Sequence, residues 1–79
     1  MDIQSPINES VVNTKDINVT GKTLPTAIVS VNGNLTPVKS DGTFSYKLTL
    51  NNGVNSIEVV ASEVSGKEIG KVLTVVYQP

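Results

Sequence analysis

An all-β fold, built as two antiparallel sheets packed face to face, is predicted by three features of this 79-residue sequence. Apolar and polar side chains alternate with a period of two over several segments, which gives each pleated strand one apolar face. β-Branched residues dominate, with thirteen valines, eight threonines and six isoleucines against alanine only at Ala27 and Ala61, a composition that favours strand. Turn-forming residues punctuate the chain about every 8 to 12 residues. No window carries apolar residues at the three-then-four spacing of a helix.

The elements follow in order. Ile3 can pair at a sheet edge before Pro6 stops the strand, and Val11-Val12 reads as a second piece of that same edge strand. Asp16 to Gly21 alternates, with Ile17 and Val19 inward and Asn18 and Thr20 outward. A turn over Gly21 to Thr26, helped by Pro25, leads to a strand at Ala27 to Asn32 that turns Ala27, Val29 and Val31 to one face and Ile28 and Ser30 to the other. Asn32-Gly33 is the strongest hairpin signal in the chain, because both central positions of a type I′ turn need positive φ. Leu35 to Lys39 returns from it. Pro37 cannot donate to a ladder, so this strand belongs at an edge. Asp41-Gly42 is a second tight turn.

Phe44, Tyr46, Leu48 and Leu50 then alternate with Ser45, Lys47 and Thr49. Beyond Asn51-Asn52-Gly53, Ile57, Val59 and Ala61 continue the alternation. These two runs are expected to pair as a half-buried antiparallel hairpin at the centre of the fold. Ser62 to Lys67 is a polar loop around Gly66, and Glu68 to Tyr77 is the last strand. Its larger apolar groups, Leu73, Val75 and Tyr77, are expected inward; a bulge near Gly70 would instead turn part of the other face, Val72, Thr74 and Val76, to the interior. Seven short strands with these turns fit an immunoglobulin-like two-sheet antiparallel sandwich, with a small open barrel as the second choice. The whole of 1–79 is expected to be a single domain, excised from a larger multidomain protein.

Composition narrows function by exclusion. A domain of this size buries only about 60% of its unfolded surface. The chain has neither cysteine nor histidine, so disulfides, thiolate zinc, Ser-His and Cys-His catalysis are all ruled out. Six lysines face seven acidic residues, and arginine is absent, leaving no electrostatic footprint for nucleic acid. No apolar run reaches the roughly 20 residues of a membrane helix, and no leader pattern precedes Ile3.

A resemblance emerges from the ordered motifs Val29-Ser30-Val31-Asn32-Gly33, Asp41-Gly42-Thr43-Phe44, and Leu50, Gly53, Asn55, Ile57, Val59 and Ala61. Together with Pro6 and Val19-Thr20-Gly21, they resemble the bacterial immunoglobulin-like domains of the glucodextranase type, from about Ile3 to Tyr77. The resemblance implies a non-catalytic module of a secreted or surface-attached bacterial protein that serves as a spacer or support. It also implies adjacent domains of the same chain as partners, with cell-wall material or polysaccharide as a further one, and an extracellular or cell-surface location. A monomer is expected, with no nucleic acid, membrane or cofactor. The chain departs from the family after Ala61, where Glu63 and Gly66-Lys67 stand in place of a downstream Asp and a Gly-Asn pair, which weakens any loop-locking calcium role. A final strand without Asn or Asp also lacks the usual position for a Lys–Asn cross-link.

No residue stands out as catalytic, cofactor-binding or metal-ligating. Paired-carboxylate hydrolysis requires two acids across a cleft, one with a raised pKa. Asp2, Glu9, Asp16, Asp41, Glu58, Glu63 and Glu68 fall instead in loops, at strand ends or on wet faces. Calcium needs a dense run of oxygen ligands, whereas Asp41 before Gly42 is explained by the turn itself. Glycan binding needs exposed rings, yet Phe44 and Tyr46 share an apolar strand face, which leaves Tyr77 as the one ring to weigh. Asn8, Asn18 and Asn34 begin Asn-x-Ser/Thr triplets, which are read as coincidence in so Asn-rich a chain. Asn55, on the inward register, is expected to tie the preceding turn together by Asx-type bonds. The functional expectation is a structural module; the alternative is a binding module using its loops or an exposed edge strand.

Overall fold

A computed structural model describes all 79 residues, Met1 to Pro79. The chain forms β1 (Asp2–Ser5), β2 (Ser10–Val12), β3 (Asp16–Lys22), β4 (Ile28–Val31), β5 (Asn34–Thr36), β6 (Thr43–Thr49), β7 (Gly53–Ser62) and β8 (Glu68–Tyr77). One sheet has three strands in the order β1-β3-β6, and the other has five in the order β2-β8-β7-β4-β5. The all-β sandwich is thus as predicted, with eight strands where seven were expected.

The extra strand arises at Pro6, which follows a cis peptide bond to Ser5. Val11-Val12 does not continue the edge strand that Ile3 begins. β1 pairs antiparallel with β3 in one sheet, whereas β2 lies parallel to β8 in the other, Ser10 beside Val75 and Val12 beside Tyr77. Two bonds fasten the crossing segment to the second sheet: Glu9 N–H donates to the Thr74 carbonyl at 2.7 Å, and Thr74 N–H donates to Asn8 Oδ1 at 2.8 Å.

The expected central hairpin does not form either. β6 pairs along its whole length with β3, Thr43 opposite Lys22 and Thr49 opposite Asp16, while β7 pairs with β4 and β8 in the other sheet. Leu50 to Asn52 therefore form an arch between layers. Alternation shows that Phe44 and Ile57 both point to the interior; it cannot show whether they do so from one sheet or from two. At the arch, Leu50 is only 1% exposed, and its N–H donates to the Lys15 carbonyl at 2.8 Å.

Elsewhere the registers match expectation. β4 and β5 form the tight hairpin, with Val31 opposite Asn34 and positive φ at both Asn32 and Gly33. β5 is an edge strand as expected, but it ends at Thr36 instead of running to Lys39, and Val38 beyond Pro37 bridges to Phe44 of the other sheet. The β7–β8 ladder runs unbroken from Gly53–Tyr77 to Ser62–Glu68, with no bulge near Gly70, so Leu73 and Val75 are buried and Val72 is exposed.

The core fills the gap between the layers. Val19 and Phe44 enter from the three-stranded sheet, and Val29, Val31, Ile57, Val59, Ala61, Leu73 and Val75 from the other, with Leu50 between. Full burial of each larger apolar side chain contributes about 1.5–3 kcal/mol. Tyr46 and Tyr77 are half-buried against this cluster. Gly21 marks its tightest point, since a Cβ there would sit 2.5 Å from the Asp2 carbonyl oxygen and 2.6 Å from the tip of the Phe44 ring.

Asp2 pairs with Lys22 at one end, and Tyr77 pairs with Gly53, beside the arch, at the other. The two termini therefore leave from opposite ends of a body measuring 41 × 19 × 18 Å.

Two glycines separate close approach from mere tolerance. Gly21→Ala should lower stability by about 1–3 kcal/mol, because backbone and a core ring must both give way. Gly70→Ala meets only a Val60 methyl at 3.9 Å and should be neutral or slightly stabilising through the unfolded chain. Denaturant midpoints of the two variants check this; equal losses would refute the packing assigned to Gly21.

Candidate functional site

The polar residues are distributed by strand alternation, and this spreads them rather than gathering them. On the three-stranded sheet, Asn18 lies opposite Lys47, Thr20 opposite Ser45 and Asp16 opposite Thr49, all on the solvent face. Asp16 Oδ1 accepts the Thr49 hydroxyl at 2.8 Å. The acids Asp2, Glu9, Asp16, Asp41, Glu58 and Glu68 are exposed and Glu63 is half-buried. No three of them come together as a cation site would require, and no pocket opens in the surface.

Asp41 shows the strongest local electrostatics. Its Oδ1 accepts the Thr43 hydroxyl at 2.7 Å and the Thr43 N–H at 3.1 Å, an Asx-type turn that leads into β6. These bonds, the hydroxyl first, hold its carboxyl below the ordinary value of 3.8. Hydrogen bonds to the charged form explain the direction, and nothing in the arrangement calls for a metal.

Asn55 is the second organised polar group. Its Oδ1 accepts the Asn51 N–H at 2.9 Å, and its Nδ2 donates to the carbonyls of Asn51 at 2.9 Å and Gly53 at 3.0 Å, with a longer contact to Val75 at 3.4 Å. The Asx-type tie expected from its position is present, and it closes the arch between the sheets.

Two other asparagines act in the same way, and their sequence context did not reveal it. Asn32 donates its N–H to the Glu58 carbonyl at 2.8 Å, while its Oδ1 accepts the Glu58 N–H at 2.8 Å, so one residue supplies both halves of a rung to β7. Asn8 does part of this for β8. The one available cue for Asn8 was its place in the break between two apolar strand pieces, just after Pro6.

The loop after Ala61 needs no side-chain lock. Glu63 N–H donates to the Lys67 carbonyl at 2.8 Å, and Gly66 N–H to the Glu63 carbonyl at 2.9 Å.

The two outer faces differ in chemistry. That of the three-stranded sheet is polar, whereas the five-stranded sheet aligns Val54, Val76 and Val11 across β7, β8 and β2, with Leu35 75% exposed on β5. Such a molecule offers strand edges and sheet faces rather than a cleft. A family model described as glucodextranase, domain B, matches residues 1–78. The chain belongs to that family. Domain B is a non-catalytic, immunoglobulin-like accessory domain of a glycoside hydrolase. The match spans the arch, both sheets and all eight strands. Among curated proteins none matches the sequence.

The clamp and the Asx turn generate two predictions. Asn55→Leu removes every side-chain bond to Asn51 and Gly53 and should cost about 1–3 kcal/mol, toward the lower value because water reaches much of the site; an unchanged thermal midpoint would remove the clamp from the account. Since the folded-state pKa of Asp41 is lowered, its contribution is present above the unfolded value and is lost as pH falls through the folded one. The stability gap between the native chain and Asp41→Asn should therefore be full near neutrality and close below pH 3.8, read by denaturant titration across that range. A gap independent of pH would contradict it.

Proposed function

We propose that this domain is a non-catalytic spacer and support module of a secreted or cell-surface bacterial protein, holding neighbouring domains of its own chain apart. The observation that carries this reading is the exit of the two termini from opposite ends of a body 41 Å long. Membership of a family of accessory domains supports it, as does the dispersal of the acids over loops and wet faces. Backbone ladders and a dry core make such a module stiff, because extending it requires breaking many rungs together.

A second reading, contact with a protein or glycan, is favoured by the apolar row Val54-Val76-Val11 and by the open edge of β8, which β2 covers only beside Val75 to Tyr77. An edge of this kind can accept an added strand. Lys71 lies on the uncovered stretch, a residue type that natural edges use to discourage pairing. The spacer reading is therefore preferred.

Spin labels at Asp2→Cys and Gln78→Cys test it. Pulsed dipolar spectroscopy should give one narrow separation close to the 41 Å long axis, and electrophoresis through gels containing soluble glucan should show no retardation. A broad distribution would reject a stiff spacer; retardation would move the assignment to glycan binding.

A further inference from the structure

Asparagine followed by glycine occurs twice, at Asn32-Gly33 and Asn52-Gly53. Glycine has no Cβ to obstruct a side chain that folds back onto its backbone nitrogen. The two dipeptides are alike in sequence and held very differently in the fold.

Asn32 is immobilised on both sides. Its N–H and its Oδ1 are both bonded to Glu58 of β7, at 2.8 Å each, in the turn between β4 and β5. Swinging its Cγ onto the Gly33 nitrogen would strip the Glu58 N–H of its partner, so reaction there requires this tie to β7 to break first. Both asparagines are exposed, and Asn52 stands at the tip of the arch. The Asn55 bonds beside it go to Asn51 and Gly53 and leave the Asn52 side chain out. Gly53 itself pairs with Tyr77 in the last rung of the β7–β8 ladder, two residues from the end of the chain, and terminal rungs open most readily.

We propose that Asn52 is a site of spontaneous hydrolytic modification and that the fold shields Asn32 from the same reaction. The Gly53 backbone nitrogen, having given its proton to a solvent base, attacks Asn52 Cγ. The N–Cγ bond forms, the Cγ–Nδ2 bond breaks, and ammonia leaves after taking a proton from solvent, so no electrons are gained or lost. Water then adds to one of the two carbonyls of the five-membered imide. Opening of the ring leaves aspartate or isoaspartate at position 52. Either product adds one negative charge to a chain whose formal net charge is −1. Isoaspartate also lengthens the backbone of the connection that carries the chain from one sheet to the other. The altered turn lies at the end of the module from which the C-terminus departs.

The folded chain is held at mildly alkaline pH and sampled over weeks by anion-exchange chromatography and peptide mapping, alongside a sample unfolded in urea. Conversion at position 52 should exceed that at position 32 by about tenfold or more in the folded chain, and the more acidic peak should be missing from Asn52→Gln. In urea the two sites should convert at similar rates. Equal rates in the folded chain, faster conversion at position 32, or a difference that persists in urea would each overturn the proposal.

Discussion

Burial of the alternate side chains of β6 and β7 against each other, across the sandwich rather than side by side, organises this molecule. Phe44 reaches in from the three-stranded sheet, and Ile57, Val59 and Ala61 reach in from the five-stranded one. For that to happen the chain must change layers between Thr49 and Gly53. Leu50 makes the change possible by filling the end of the gap while its N–H stays bonded to Lys15. Once the arch is set, β3 takes one side of β6, and β4 and β8 take the two sides of β7.

Changing layers leaves backbone groups without ladder partners, and buried ones must be satisfied. The chain meets this need with asparagine. Asn55 closes the arch, Asn8 fastens the N-terminal crossing to β8, and Asn32 supplies a rung to β7 where β4 has already turned away. An amide side chain offers a donor and an acceptor as a peptide group does, so it can stand in for a missing strand neighbour. Three of the eight asparagines are accounted for in this way.

The same alternation that fills the core disperses the chemistry. Most polar residues of the strands lie on the outside of their sheets, with Thr36 and Asn55 turned inward, and the acids stay apart. Asp41 is committed to Thr43 and Asp16 to Thr49. The main surface feature is the contrast between a polar outer face on one sheet and the apolar row Val54-Val76-Val11 on the other. This accords with a family of accessory domains.

The period-two pattern, the β-branched composition and the Asn32-Gly33 turn were sufficient to predict the all-β class, the inward faces, the hairpin at β4–β5, the edge position before Pro37 and the tie made by Asn55. All of these depend on one residue and its near neighbours, which is the range over which sterics and alternation operate. Pairing is different. Whether Phe44 and Ile57 share a sheet or face one another, and whether Val11-Val12 follows Ile3 or leaves it for β8, are choices between arrangements that bury the same side chains. Local pattern is blind to that choice. Only the closed structure decides it, because the edge that gains a partner is set by which distant strand arrives beside it.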